Sequence, residues 1–206
     1  SNNIDIKSSL ERLDVDCLYA VLIHVFSDFK KDNSIFYKLA DYKEKGLINK
    51  IGFSLYFPEE LEYLIESKIK FDIIQVGYSI FDQRFKEYFT DLKNMGVEIH
   101  TRSAFLHGLY FKNKNQIGKH FNKVKKKLGL LHELSISRDI PIASICLNYV
   151  LNDTRIDKVI IGVDNSEILQ QNIELVNKFD VKSNMFSEFS NFAVQDVEIL
   201  FPHHWK

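Results

Sequence analysis

The sequence predicts an α/β protein built on a parallel sheet, and three observations predict it. Five short runs, Leu18 to Ile23, Ile48 to Phe53, Phe71 to Val76, Val97 to Ile99 and Val159 to Ile161, read as mostly apolar on consecutive positions rather than as regularly alternating. That is the pattern of strands covered on both faces. Segments with helical spacing lie between the runs, so strand and helix alternate. The connections are short, which makes each crossover a right-handed βα unit. A doubly wound sheet and a closed barrel both satisfy this pattern. No G-x-G-x-x-G follows any of the five runs, which weighs against the doubly wound dinucleotide fold.

In chain order, Ser9-Leu10-Glu11-Arg12-Leu13 belongs to a helix that precedes the first strand. Ile35, Phe36, Leu39 and Ala40 recur at helical spacing, and Gly46 stands where a glycine beyond the C-cap stops a helix. Pro58, Glu59 and Glu60 open the next helix. Proline suits its first position, and the carboxylates face the positive end of its dipole. Leu61, Leu64 and Ile65 form the apolar stripe of that helix. Phe85, Tyr88, Phe89 and Leu92 follow the i, i+3, i+4, i+7 rule up to Gly96. Pro141 opens a helix with Ala143, Cys146, Leu147 and Val150 on one face. Ser166 is the expected cap of the last helix, with Leu169, Ile173 and Val176 facing inward. An added segment, roughly Leu106 to Ser137, separates the fourth and fifth strands and carries a basic helix around Lys123 to Lys127. Eight glycines and three prolines in 206 residues leave no room for a long linker, so residues 1–206 are expected to form a single domain.

Lys plus Arg number 27 against 28 for Asp plus Glu, a net charge of −1, so no global field favours nucleic acid or an acidic membrane. The lysines of the basic helix read as a solvated face. No apolar run approaches the roughly 20 residues of a membrane span. Cys17 and Cys146, both in apolar segments, read as buried thiols in a reducing compartment, and a cytoplasmic location is expected. The opening Ser1-Asn2-Asn3 has the look of a processed or engineered start. His203 and His204 have no convincing further ligands nearby in sequence, and no metal site is expected.

Functional groups in either architecture gather where strands end and loops begin. Those positions hold His24, Ser54, Gln75, Arg102 with Ser103, and Gly162. Ordinary strand termination and a shared site both account for polar residues there. The wording around them is more specific. Leu22-Ile23-His24, Ile51-Gly52-Phe53-Ser54, Gln75-Val76-Gly77-Tyr78-Ser79, the run Thr101 to Leu109, and Ile160-Ile161-Gly162 with Gln171-Asn172 resemble the aldo-keto reductases in order and spacing. Phe81-Asp82-Gln83-Arg84 and the run from Arg102 to Leu109 are most similar to a bacterial subgroup associated with surface-sugar biosynthesis.

The resemblance implies a partial (β/α)8 TIM-type barrel of about five parallel βα units, the family's barrel strands four to eight. It implies an N-terminally truncated chain, because the family's catalytic Asp, Tyr and Lys belong after earlier strands and only the histidine, His24, has a counterpart here. His24 would hydrogen-bond the substrate carbonyl. Ser54 and Gln75 would bind the nicotinamide carboxamide, to which a hydroxyl and an amide offer both donor and acceptor. Leu55 and Ser79 stand where the family commonly has Asn. Arg102 replaces a stacking tyrosine, its planar guanidinium adding a fixed charge. Ser103 would touch the pyrophosphate. Gly162, Asp164, Gln171 and Asn172 match the adenosine end, with Asp164 in the place of an arginine that favours NADP, so NAD fits at least as well as NADP. The expected activity of the parent is hydride transfer to or from a small carbonyl or alcohol, a sugar-derived one included. The chain alone is expected to bind NAD or NADP weakly or not at all and to be inactive without its proton donor. The rival expectation is a non-catalytic remnant serving as a binding or assembly module. Five strands cannot close an eight-stranded cylinder, so exposed sheet edges and a homo-oligomer are also expected.

Overall fold

The computed structural model describes residues 5–113, 115, 117–178 and 186–205. The elements are α1 (Ile6–Leu13), β1 (Leu18–Ile23), α2 (Phe26–Lys31), α3 (Ser34–Glu44), β2 (Ile48–Ser54), α4 (Pro58–Glu66), β3 (Ile73–Gly77), α5 (Phe89–Asn94), β4 (Glu98–Arg102), α6 (Lys125–Arg138), α7 (Ile142–Leu151), β5 (Lys158–Val159), α8 (Ser166–Lys178) and α9 (Val197–Leu200). The five parallel strands form one sheet in the order β1-β2-β3-β4-β5. The α/β class and the five-stranded parallel sheet are therefore as expected from sequence. The chain divides into two compact units, Ser1–Val76 with Tyr88–His100, and Gly77–Glu87 with Thr101–Lys206.

The first unit is organised around Phe53, which is fully buried. Its ring stacks on Phe36 at 5.1 Å and meets Phe29 edge-on at 4.9 Å, arrangements that add specific geometry to the burial of large rings. Strand β2 pairs with β1 from Leu18↔Ile48 to Ile23↔Phe53, and with β3 from Gly52↔Ile73 to Ser54↔Gln75. Gly52 lets the β3 backbone approach: a Cβ there would lie 1.7 Å from the Ile73 carbonyl oxygen. Helix α3 stops as expected at Gly46, whose φ is +73°. The Gly46 N–H donates to Lys43 O and the Leu47 N–H to Tyr42 O, so the last carbonyls are satisfied. Pro58 opens α4, and Glu60 Oε2 accepts from the N–H groups of Tyr56 and Phe57 at 2.7 and 3.0 Å.

The second unit holds Tyr110 without exposure to solvent. Its hydroxyl donates to Ser79 Oγ at 2.9 Å and accepts from the Phe81 N–H at 2.8 Å. Burial pushes its pKa well above the usual phenol value. Arg84 grips Asp82 through Nε (2.8 Å) and a terminal nitrogen (2.9 Å), with both side chains almost wholly buried. The Gln83 amide donates to the carbonyls of Ile80 and Phe189. The loop after β3 is thus held by its own polar groups rather than by apolar packing alone.

Several local expectations change. Strand β3 begins at Ile73, two residues later than the apolar run, and β4 extends to Arg102. Strand β5 is only Lys158–Val159, with one further bond from the Ile160 N–H to Thr101 O; it opens on a lysine, a residue that discourages edge pairing. Phe85 precedes a 3₁₀ turn (Lys86–Tyr88), and the helix itself starts at Phe89. Lys123 lies before α6 and pairs with Asp196 at 2.5 Å. Helix α7 is buried at every residue from Ser144 to Val150 rather than on one face. Asn165, not Ser166, caps α8, its side-chain oxygen accepting from the Ile168 N–H at 2.8 Å. Leu169 and Ile173 of α8 are 43% and 47% exposed, so its apolar stripe is only half covered. Cys146 is buried, and burial raises its thiol pKa, whereas Cys17 is half-buried and near Asn49.

Candidate functional site

In the first unit, His24 and Ser54 lie at the C-terminal ends of β1 and β2, and Gln75 lies in the middle of the neighbouring β3. Ser54 ends β2 and pairs in register with Gln75 of β3, which places a hydroxyl and an amide on the same face, side by side. Ser54 is 5% exposed, and its Oγ has no hydrogen-bond partner among the described residues. A buried hydroxyl left unpaired costs about 1–3 kcal/mol, so this position is disposed to accept a polar ligand. Gln75 is half-buried. Leu55 is fully buried and donates its N–H to Gln75 O at 2.8 Å, so its side chain belongs to the core. His24 follows β1, is exposed, and meets Tyr56 edge-on at 6.0 Å.

In the second unit, Arg102 ends β4 and Ser103 follows it with φ +66°. Leu106 and His107 share the left-handed region with φ +44° and +48°. Such φ values in non-glycine residues are strained and need surrounding structure to hold them; here Leu106 is fully buried. Asp82 and Arg102 both crowd Gly77: a Cβ there would lie 2.7 Å from Asp82 Oδ2 and 3.8 Å from the Arg102 guanidinium. Gly162 and Asp164 lie exposed in the loop before α8. Gln171 is exposed, whereas Asn172 is buried and lines an apolar groove with Leu147, Val159 and Ile173.

Comparison with known proteins decides the family. The family model for the aldo/keto reductase family matches residues 3–193. The chain belongs to the aldo/keto reductase family. Solved aldo-keto reductases share its fold. One from Bacillus halodurans is 22% identical in its apo form, with a TM-score of 0.76 over 98% of this chain and 70% of that one. The holo form of that protein is 20% identical, with a TM-score of 0.74 over 98% and 68% of the two chains. A thermostable aldo-keto reductase in complex with the inhibitor epalrestat is 18% identical, with a TM-score of 0.64 over 91% and 64%. No curated protein matches the sequence significantly. Family and fold support an oxidoreductase. Aldo-keto reductases generally bind NAD(P)H and act on small carbonyl compounds. No described helix is long and apolar enough to cross a membrane, and no group of three metal-ligating side chains occurs among the described residues.

One constellation in this family member was missed from sequence. In the first unit, Glu98 of β4 accepts from the Tyr19 hydroxyl at 2.5 Å, binds His100 Nε2 at 2.6 Å and pairs with Lys50 of β2. Lys50 Nζ also reaches the Tyr19 hydroxyl at 3.3 Å, and the Tyr19 ring stacks on His100. The available signal was the presence of Lys50 and Glu98 within the second and fourth runs and of His100 directly after the fourth. Their convergence with Tyr19 from β1, β2 and β4 was not readable, because β4 is distant from β1 and β2 in sequence.

Proposed function

We propose that this chain carries the cofactor- and carbonyl-binding part of an NAD(P)-dependent aldo-keto reductase. The observation that supports the reading is the buried Ser54 hydroxyl, without a hydrogen-bond partner among the described residues, paired in register with Gln75, which suits a carboxamide. When bound, the nicotinamide supplies or accepts the hydride. Ser54 and Gln75 orient the carboxamide, and His24 offers a hydrogen bond to a carbonyl oxygen. Arg102 and Ser103 contribute charge and backbone N–H groups for the pyrophosphate. Gly162, Asp164, Gln171 and Asn172 serve the adenosine end, where exposed Asp164 would repel a 2′-phosphate. The chain alone has no turnover, because the family's Asp, Tyr and Lys have no matching positions here and general acid catalysis is worth on the order of 10² to 10⁴ in rate. The substrate class is a small carbonyl compound, sugar-derived in the context of surface-sugar biosynthesis, in the cytoplasm. Residues 1–206 act as one domain that self-associates through its sheet edges.

Leu55, buried in the core where the family commonly has Asn, favours a second reading, a non-catalytic binding or assembly module. Calorimetric titration with NADH and NADPH, alongside a turnover assay, separates the two. The expected result is weak binding without preference for NADPH, lost in Ser54→Ala and Gln75→Ala, and no turnover. Binding unchanged by both substitutions overturns the cofactor assignment. Turnover that disappears in His24→Ala overturns the inactivity. Absence of binding by the folded wild-type chain favours the module.

A further inference from the structure

The second unit contains a cavity of about 260 Å³ walled by the rings of Tyr78, Tyr149 and Phe186. None of these residues belongs to the strand-end set. Two of its polar groups have hydrogen-bond donors left unused among the described residues. Tyr149 is 3% exposed, and its hydroxyl makes no hydrogen bond among the described residues. The Tyr78 hydroxyl lies within 3.3 Å of Asp153 Oδ2 and also interacts with the Tyr149 oxygen, which leaves the Tyr149 O–H itself as the free donor. Lys86 also lines the cavity and makes no side-chain hydrogen bond or ion pair among the described residues; its Nζ stands 5.6 Å from the Tyr149 ring centre. Burial lowers the Lys86 pKa, against the opposing pull of Asp153.

The remaining charges in the cavity wall are spoken for. Arg155 holds both oxygens of Asp153, through Nε at 2.8 Å and a terminal nitrogen at 2.7 Å. Lys86 and Arg155 against Asp153 leave one positive charge, and it resides on the unpaired ammonium. A half-desolvated cation beside a phenol O–H that has no acceptor among the described residues matches a single anion that also accepts a hydrogen bond. A cationic ligand would meet Lys86 at the aromatic wall and be repelled. Drug-sized pockets run from about 300 to 1,000 Å³, so this smaller cavity suits a ligand of one ring.

We propose that this cavity binds a small aromatic monocarboxylate, its ring packed on the aromatic wall and its carboxylate taken by Lys86 Nζ and the Tyr149 hydroxyl. The test is calorimetric titration of the full chain with benzoate, with benzamide as the neutral isostere and inorganic phosphate as the anion without a ring. Benzoate is expected to bind at least about tenfold more tightly than either control, the scale of one hydrogen bond to a charged group. Lys86→Met should weaken benzoate about tenfold or more, and Tyr149→Phe by a smaller factor, with circular dichroism unchanged. Absence of benzoate binding to the wild-type chain overturns the proposal. So does equal binding of benzamide, equal binding of phosphate, or benzoate affinity unmoved by a folded Lys86→Met variant. Should Lys86→Met fail to fold, Lys86→Gln and the benzamide comparison decide the same point.

Discussion

Replacing Gly52 with alanine tests the register that brings Ser54 beside Gln75. The added Cβ would stand 1.7 Å from the Ile73 carbonyl oxygen and 2.7 Å from its carbon. Both are backbone atoms, so no side-chain rotation relieves the contact, and β2 and β3 must part by more than about 1 Å, since Cβ contacts below about 3.0 Å essentially do not occur. The pairing at risk runs from Gly52↔Ile73 to Ser54↔Gln75 and continues in the bonds Asp72 N–H to Ile51 O and Leu55 N–H to Gln75 O. Losing about three such bonds at about 1 kcal/mol each, together with about 1–3 kcal/mol for overpacking, gives a destabilisation of about 4–6 kcal/mol. That is most of the stability of a marginal domain, about 5–15 kcal/mol. Two other glycines calibrate the scale. Gly46 has φ +73° and open space around its Cβ position, so Gly46→Ala should cost only the left-handed penalty, about 1–2 kcal/mol. Gly118 has neither a clash nor a positive φ, and Gly118→Ala should stay within about 0.5 kcal/mol of the wild type. Urea unfolding followed by circular dichroism reads all three. A Gly52→Ala protein that is already unfolded without urea meets the expectation. A Gly52→Ala midpoint within about 0.5 kcal/mol of the wild type, or a larger loss in Gly46→Ala, refutes the reasoning.

Arg84→Met should destabilise the chain by about 3–5 kcal/mol, because it leaves the Asp82 carboxylate buried without its partner, and adding Asp82→Asn should restore part of the loss; urea midpoints of the single and double variants check this. The pH dependence of stability should show Asp153. Burial pushes its pKa up, but hydrogen bonds from Arg155 outweigh burial and the net shift is downward. Its contribution is therefore fully present above the ordinary carboxylate pKa of about 4 and lost as pH falls through the lower folded value. Unfolding midpoints of wild type and Asp153→Asn should accordingly converge on acidification; a constant gap across that range would contradict the assignment. Strands β1 and β5 end the sheet, and sedimentation at micromolar concentration should show a dimer burying more than about 1,000 Å²; a monomer at all concentrations refutes self-association.

Local patterning alone was enough for much of this fold. Runs rich in apolar residues placed β1 to β4 within two or three residues, because strands packed against the core are dominated by apolar side chains even where Lys50, Gln75 or Glu98 interrupts them. The C′ glycine at Gly46 and the proline at the start of α4 were readable because backbone conformation near a single residue dictates them. The strand-end position of Ser54 followed from those boundaries, whereas β3 runs on to Gly77 and leaves Gln75 in mid-strand; the ordered motifs around them were sufficient to name the family. Tertiary structure decided the rest. Apolar residues at helical spacing cannot say how far they will be covered, and Leu169 and Ile173 of α8 stay half exposed along an open groove shared with Leu147 and Val159. Strand β5 shrank to Lys158–Val159, since strand length is set by the partner's hydrogen bonds as well as by hydrophobicity. The Ser54 hydroxyl and the Lys86 ammonium beside Tyr149, neither hydrogen-bonded among the described residues, have no local signature, and the Tyr19–Lys50–Glu98–His100 cluster shows in sequence only as polar residues in or beside apolar runs. Each exists because side chains distant in sequence are held at fixed distances, and whether a polar group finds a partner is decided only by that geometry.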